Sequence, residues 1–494
     1  MITEKLAMAR QYEKESTEQG KVTDRPAFHA TGTVGWINDP NGFSIYKGEY
    51  HLFYQYYPYD NHWGPMHWGH SKTSDFIKWD LLPCAIAPDS DEDAEGCFSG
   101  SAIETPDGKH LLVYTGITKA GVVNGQEKCY QQQCVAIGDG VDYEKVDCNP
   151  VIPKELIPEG NNKYEFRDPK ILYRDGKYYT IAVNMDGEDC GNVLVFESED
   201  MLHWDFLKQL DESKWEVGRV WECPDYFALG DSQVLIVSPQ ETEGDGYEIL
   251  PGFNNFFLVG KETAPFEFNR NKIQPIDFGT DFYAAQTLES KDGRRIMIAW
   301  MQNWETKDYG NDNHGFFGMM TLPRELWDVG GYVYQQPVKE LETYYNNQIA
   351  YSDVRISEEM SLDGVYGRVL DMKIDLKPEQ GNEDYIFKIC VAKDEKHQTF
   401  IELDARKGIC KLDRSGSGYK ISALSTREFP VDFENGKIDL RVVLDRWSME
   451  LFFNGGKYAA SMKIDTEVSA DAITFQSDKL VKMNLRKYDF VDIL

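Results

Sequence analysis

The chain has 494 residues, beyond the size at which one hydrophobic core usually stops growing, so two domains are expected. Hydrophobic residues make up 41% and aromatics 13%, which excludes a disordered chain and suits a folded, soluble one. A net charge of -31 repels phosphate backbones and anionic headgroups, so neither nucleic acid nor a membrane surface is expected as a partner, and a neutral small molecule fits better.

Residues 1–23 read as a helical extension, with Leu6, Ala7, Ala9 and Tyr12 spaced among charges as on a surface helix. This stretch lacks the apolar core of a secretion signal, and no later segment is long and apolar enough to span a bilayer. The nine cysteines (84, 97, 129, 134, 148, 190, 223, 390, 410) are odd in number and show no paired spacing. They read as reduced thiols, and the expected location is cytoplasmic.

From about residue 40 the chain is a series of short strands rich in Tyr, Phe, Val and Ile. A glycine followed by a polar or charged residue and an apolar strand recurs at Gly48, Gly108, Gly176, Gly230 and Gly293, about sixty residues apart. SDFIKWD (74–80) and EDMLHWD (199–205) form a second echo of the same repeat. Five antiparallel units over residues 24–335 predict a five-bladed β-propeller, which hides sheet edges by radial repetition. A pair of β-sandwiches with coincidental Asp-Gly turns is the competing reading. Residues 336–350, with helical spacing after Pro337, read as a linker, and the alternating strands of 351–494 read as a β-sandwich. The predicted fold is therefore all-β.

With 83 acidic residues, only position can select a functional carboxylate. Asp39 lies nine residues before Gly48, Asp168 eight before Gly176, and Glu222 eight before Gly230. One phase of three repeats thus carries an acid, and equivalent strands of a propeller converge on its central channel. WINDPNG, FRDPK and WECPDY set each acid among apolar neighbours and a proline, a desolvating environment that raises carboxylate pKa values. Arg167, beside Asp168, favours an ionised neighbour. FSGS (98–101) and DFYAAQ (281–286) occupy this phase in the other two repeats and read as binding contributions. Two acids flanking a glycosidic bond are the minimal apparatus of glycoside hydrolysis. Trp36, Trp63, Trp68, Trp221, Trp300 and Trp304 divide, on this reading, between sugar platforms and core packing.

WINDPNG, FYQY, WGPMHWGH, FSGSA, FRDPK, ECPD, DFYAAQ and MTLPREL, in this order and spacing, resemble glycoside hydrolase family 32, the invertases, sucrose-6-phosphate hydrolases, inulinases and levanases. LRVVLDRWSMELFFNGG (440–456) resembles that family's recurring sandwich motif. The resemblance implies a propeller followed by a sandwich and a configuration-retaining double displacement, with no metal and no organic cofactor. It makes Asp39 the nucleophile, Glu222 the acid/base and Asp168 the stabiliser of the transition state, assisted by Arg167. Asn38, Gln55, Trp63, Phe98, Ser99, Asp281 and Trp300 match positions lining the fructose pocket. Ile37 stands where the family often has Met, and NDNHGFFGMM (311–320) departs from its usual Trp-containing segment.

The expected activity is release of a terminal fructosyl unit from sucrose or sucrose 6-phosphate. Exo-hydrolysis of short fructans is the alternative, and fructosyl transfer is disfavoured because it must exclude water. A non-catalytic carbohydrate-binding propeller is a remote alternative, since it has no use for a buried nucleophile and proton donor. No basic pocket for a phosphate stands out, and the oligomeric state is left open.

Overall fold

The computed structural model describes residues 2–246, 248–308, 314–418 and 424–491. The N-terminal segment forms a helix, Glu4–Glu18, opened by Thr3, whose Oγ1 accepts the Leu6 N–H at 3.3 Å. Leu6 and Ala9 face inward, while Ala7 lies on the exposed side. Arg10 and Glu13 bond the backbone of Cys84 through its carbonyl (2.9 Å) and N–H (3.0 Å). The helix thereby covers the outer edge strand Asp80–Ile86, whose free backbone groups would otherwise be open to pairing.

Five sheets follow, each with four main strands in antiparallel sequence order. The innermost strands are Gly35–Tyr46, Gly96–Glu104, Asn161–Arg174, Asp225–Leu229 and Tyr283–Glu289, for blades I to V. Every recurring glycine sits in the turn from the first to the second strand of its blade, with φ of 77, 77, 84, 56 and 78° along the chain. A left-handed conformation is what these tight turns demand, so the repeat read from glycine is a repeat of turn geometry. The second echo is also structural. Asp75 Oδ1 accepts the N–H groups of Ile77 and Lys78, and Asp200 Oδ1 those of Leu202 and His203, at the turns into the fourth strands of blades I and III.

Separate apolar clusters glue adjacent blades, such as Val113, Phe166 and Phe196 between II and III, and Val183, Tyr226 and Leu258 between III and IV. Phe316–Phe317, from the long connection of blade V, pairs in parallel with Gly35 and Trp36 and ties the last blade to the first.

The helical spacing after Pro337 does not give an α-helix. Lys339–Tyr344 is a 3-10 turn, and Tyr345–Ile356 is a strand paired with Val481–Phe490. The adjacent Tyr344, Tyr345, Asn346 and Asn347 favour extended and turn backbone once such a partner strand exists. Beyond it, a six-stranded and a five-stranded antiparallel sheet pack face to face around Met372, Phe387, Ile401, Leu451 and Phe475. Strand Ser448–Phe453 is buried along its whole length because Met449, Leu451 and Phe453 enter the sandwich core while Phe452 packs on the propeller.

Candidate active site

At the acid-bearing phase the innermost strands lose regular pairing. In blade I the register jumps from Ile37↔Tyr56 to Pro40↔Tyr54, so Asn38 and Asp39 bulge out opposite Gln55. Similar breaks occur at Ser99, between Arg167 and Lys170, and at Ala284–Ala285. Asp168, Cys223 and Ala284 take left-handed backbone with φ of 59, 49 and 58°. Bulges re-aim side chains, and non-glycine residues held in this conformation mark places where backbone strain serves a site.

The re-aimed side chains meet in a cavity of about 240 Å³ lined by Asn38, Asp39, Gln55, Trp63, Phe98, Ser99, Gln131, Glu165, Arg167, Asp168, Glu222 and Trp304. Asp39 is held on both oxygens: Ser99 Oγ donates to Oδ2 at 2.8 Å and Asn38 Nδ2 to Oδ1 at 3.1 Å. Trp36 Nε1 in turn donates to Asn38 Oδ1 at 2.8 Å, which fixes the amide orientation. The Cys223 N–H donates to Asp168 Oδ2 at 2.9 Å, and the Cys223 thiol lies 3.7 Å from Asp39 Oδ2 and 3.6 Å from Asp168 Oδ2. Glu222 receives Arg167 Nε at 3.1 Å on one oxygen and the Tyr283 hydroxyl at 2.7 Å on the other.

Burial and the nearby Glu222 carboxylate push Asp39 from 3.8 to about 6, although the Ser99 and Asn38 hydrogen bonds pull it down. Burial also raises Asp168, against the pull of Arg167. Burial, and then the carboxylates of Asp168 and Asp39, push the Cys223 thiol far up, so it stays a neutral donor between two acids. Burial opposes the charge on Arg167, but Glu222 and Glu165 override it and keep the guanidinium protonated.

Two expected pocket residues lie elsewhere. Asp281 is fully buried, bound by Arg414 Nη1, by Thr280 Oγ1 at 2.8 Å and by the Lys463 N–H at 2.9 Å. Trp300 is also fully buried, its ring 5.9 Å from that of Trp36 and 5.2 Å from that of Trp304. Trp300 backs Trp304, which lines the cavity, whereas Asp281 ties the propeller to the sandwich strands that carry Arg414 and Lys463. Of the six tryptophans, Trp63 and Trp304 line the cavity, and Trp36, Trp68, Trp221 and Trp300 are core. Gln131, Glu165, Cys223 and Tyr283 are contributors that the acid phase alone did not single out. Glu165 was open to discovery, because two residues along a strand from Arg167 is the same face. The departing segment 311–320 lies partly outside the described residues.

Two larger grooves, of about 500 and 830 Å³, run between the N-terminal helix and blade II, but neither holds any of the three clustered acids. Among the described residues no group of three His, Cys, Asp or Glu side chains is disposed to hold a metal, and no helix is long and apolar enough to cross a membrane.

A buried nucleophile candidate, a carboxyl held between Arg167 and Tyr283, and a third acid facing the same small cavity can act on one acetal carbon. Residues 29–337 match the glycosyl hydrolases family 32 N-terminal domain, and residues 340–487 match the family 32 C-terminal domain. The chain belongs to glycosyl hydrolase family 32. Family 32 relatives include the sucrose-6-phosphate hydrolase of Zymomonas mobilis, 35% identical over 457 residues, covering 89% of this chain and 86% of that one. The raffinose invertase of Escherichia coli is 31% identical over 471 residues, covering 94% of each. Among solved family 32 structures, the β-fructofuranosidase of Bombyx mori superposes with a TM-score of 0.83 at 30% identity over 99% of both chains. The family 32 chain described here is thus a glycoside hydrolase with the propeller and sandwich of its relatives.

Proposed function

We propose that the protein is a retaining β-fructofuranosidase that releases the terminal fructosyl unit of sucrose or a close relative. Asp39 attacks the fructosyl C2 as the C2–O bond to the leaving sugar breaks, and Glu222 delivers a proton to the departing oxygen. Glu222 then takes a proton from the water that attacks C2, and the bond to Asp39 breaks. Asp168 faces the same carbon and balances the positive charge that develops there. The observation that carries this reading is the convergence of the three acids on one cavity through the Cys223 backbone, the Cys223 thiol and Arg167.

The leaving group is a separate question. Relatives are named for sucrose 6-phosphate and for raffinose, which differ in what leaves and not in the fructose. A cytoplasmic location accompanies the proposal, supported by the relatives named for a phosphorylated sugar. Fructose release from sucrose, sucrose 6-phosphate and kestose tests the reading. The wild type should release fructose from at least one, and Asp39→Ala from none while keeping its circular dichroism. Activity surviving in that variant would remove Asp39 as the nucleophile.

A further inference from the structure

We propose that Glu165 sets the leaving-group specificity of this site, accepting hydroxyl hydrogen bonds from a neutral sugar on the leaving side and rejecting a phosphorylated one. The inference rests on the β-fructofuranosidase reading and extends it to a substrate class. Glu165 lies on the innermost strand of blade III, two residues before Arg167 and three before the buried Asp168. Its side chain is 29% exposed, against 9% for Arg167, which places it at the cavity mouth. Arg167 Nη1 bonds Glu165 Oε2, fixing one oxygen and leaving acceptor capacity on the carboxylate. An ionised carboxylate has lone pairs and no donor. It therefore matches the hydroxyls of a neutral hexose, whereas a phosphate dianion offers it only more acceptors and two negative charges.

The rest of the mouth points the same way. Arg167 is the only cation lining the cavity among the described residues, and its Nε and Nη1 already serve Glu222, Glu165 and Gln131. Trp63, 48% exposed, and Trp304 give apolar ring surface suited to sugar C–H faces. The connections between second and third strands, which bring Trp63 and Trp304 to the mouth, carry Glu188 and Asp189 in blade III and Glu241, Glu243, Asp245 and Glu248 in blade IV, against one exposed lysine, Lys307, in blade V. Three cations on this face are paired: Arg219 with Glu241 (3.0 Å) and Asp189 (3.3 Å), Lys154 with Glu155 (3.0 Å), and Lys119 with Glu95 (3.3 Å). A mouth with an excess of one sign of charge focuses its field on an entering ion. Lys163, exposed on the same strand as Glu165, and Lys307, exposed on the same connection as Trp304, are the residues through which a phosphate could still be held.

The test compares kcat/KM for sucrose and sucrose 6-phosphate at low and high ionic strength, in wild type, Glu165→Gln, Lys163→Ala and Lys307→Ala. In the wild type sucrose should be preferred by roughly tenfold or more at low salt. The value for sucrose 6-phosphate should rise with salt, because screening weakens the repulsion, while that for sucrose stays level. Glu165→Gln should lower use of sucrose yet raise the ratio of sucrose 6-phosphate to sucrose several-fold, mainly through KM. A purely structural role would reduce both substrates alike. Preference for sucrose 6-phosphate at low salt, a ratio falling with salt, or loss of phosphate preference in Lys163→Ala or Lys307→Ala would overturn the proposal in favour of a cationic phosphate site. If Glu165→Gln fails to fold, Glu165→Ser takes its place with the same shift in ratio expected, and an unchanged ratio would overturn the proposal. No fructose from sucrose in any buffer would instead overturn the underlying β-fructofuranosidase reading.

Discussion

Asp39 combines an energetic cost with a chemical role. Because burial raises it from 3.8 to about 6, the folded state binds more protons than the unfolded state between those values. Folding stability therefore falls as pH rises through that window, and the full penalty persists above pH 6. Asp39→Asn should be more stable than wild type at pH 7 by on the order of 1–3 kcal/mol, with the gain absent below about pH 4, as thermal melts at the two pH values would show. The nucleophile must be ionised, so the acid limb of kcat/KM should lie near pH 6. Ser99→Ala, by removing a donor that favours the charged form, should move that limb to higher pH. Glu222→Gln should lose roughly two to four orders of magnitude in rate on sucrose, and less on a fructoside whose leaving group needs no protonation. An equal loss on both substrates would count against the acid role. The three acids were legible because each lies eight or nine residues before a turn glycine. Asp281 and Trp300 were misplaced as pocket residues because their surroundings come from far away in the chain. Arg414, which binds Asp281, is 133 residues distant, and no local pattern announces it.

At the scale of elements, the repeat is held by turns. A Cβ added at Gly48, Gly108, Gly176 or Gly293 meets nothing within 4 Å, so the demand at these sites is for left-handed backbone alone. Gly108→Ala should therefore cost about 1 kcal/mol in chemical denaturation and leave kcat unchanged. Gly35 is different: an added Cβ would come 2.4 Å from the Tyr57 carbonyl, at the start of the strand that carries Asp39. The bulges that turn Asn38, Ser99 and Asp168 into the cavity were not legible, since a bulge is a register difference between two strands and each strand looks regular by itself. The segment after Pro337 was misread for a related reason. Leu341, Tyr344 and Tyr345 can be spaced as on a helix, but Tyr345 pairs with Phe490 at the opposite end of the domain.

Across the whole molecule, propeller and sandwich are joined by buried charge. His29, from the segment entering blade I, lies 2.8 Å from Asp445 Oδ2 and 2.9 Å from Glu450 Oε1 in the sandwich. Arg324 of blade V binds Glu450 by Nε at 3.1 Å and Asp277 by Nη1 at 2.9 Å. Burial works against the charge on His29, but the two carboxylates outweigh it and raise it from 6.5 to about 9. This contribution to stability is complete below pH 6.5 and is lost as pH rises through 9. His29→Gln should lower the melting temperature near neutrality and flatten its decline between pH 6.5 and 9. A decline as steep as in the wild type would show that another group governs it. The sandwich was visible as alternating strands, whereas its attachment was hidden, because Glu450 and Asp445 look like ordinary strand and turn acids in SMELFF and LDRW.

The most direct test of the account is to follow product anomers by NMR during the first moments of sucrose hydrolysis. A double displacement through Asp39 predicts that β-fructofuranose appears first and then mutarotates. Initial release of the α anomer would mean single displacement by water and would contradict the nucleophilic role of Asp39.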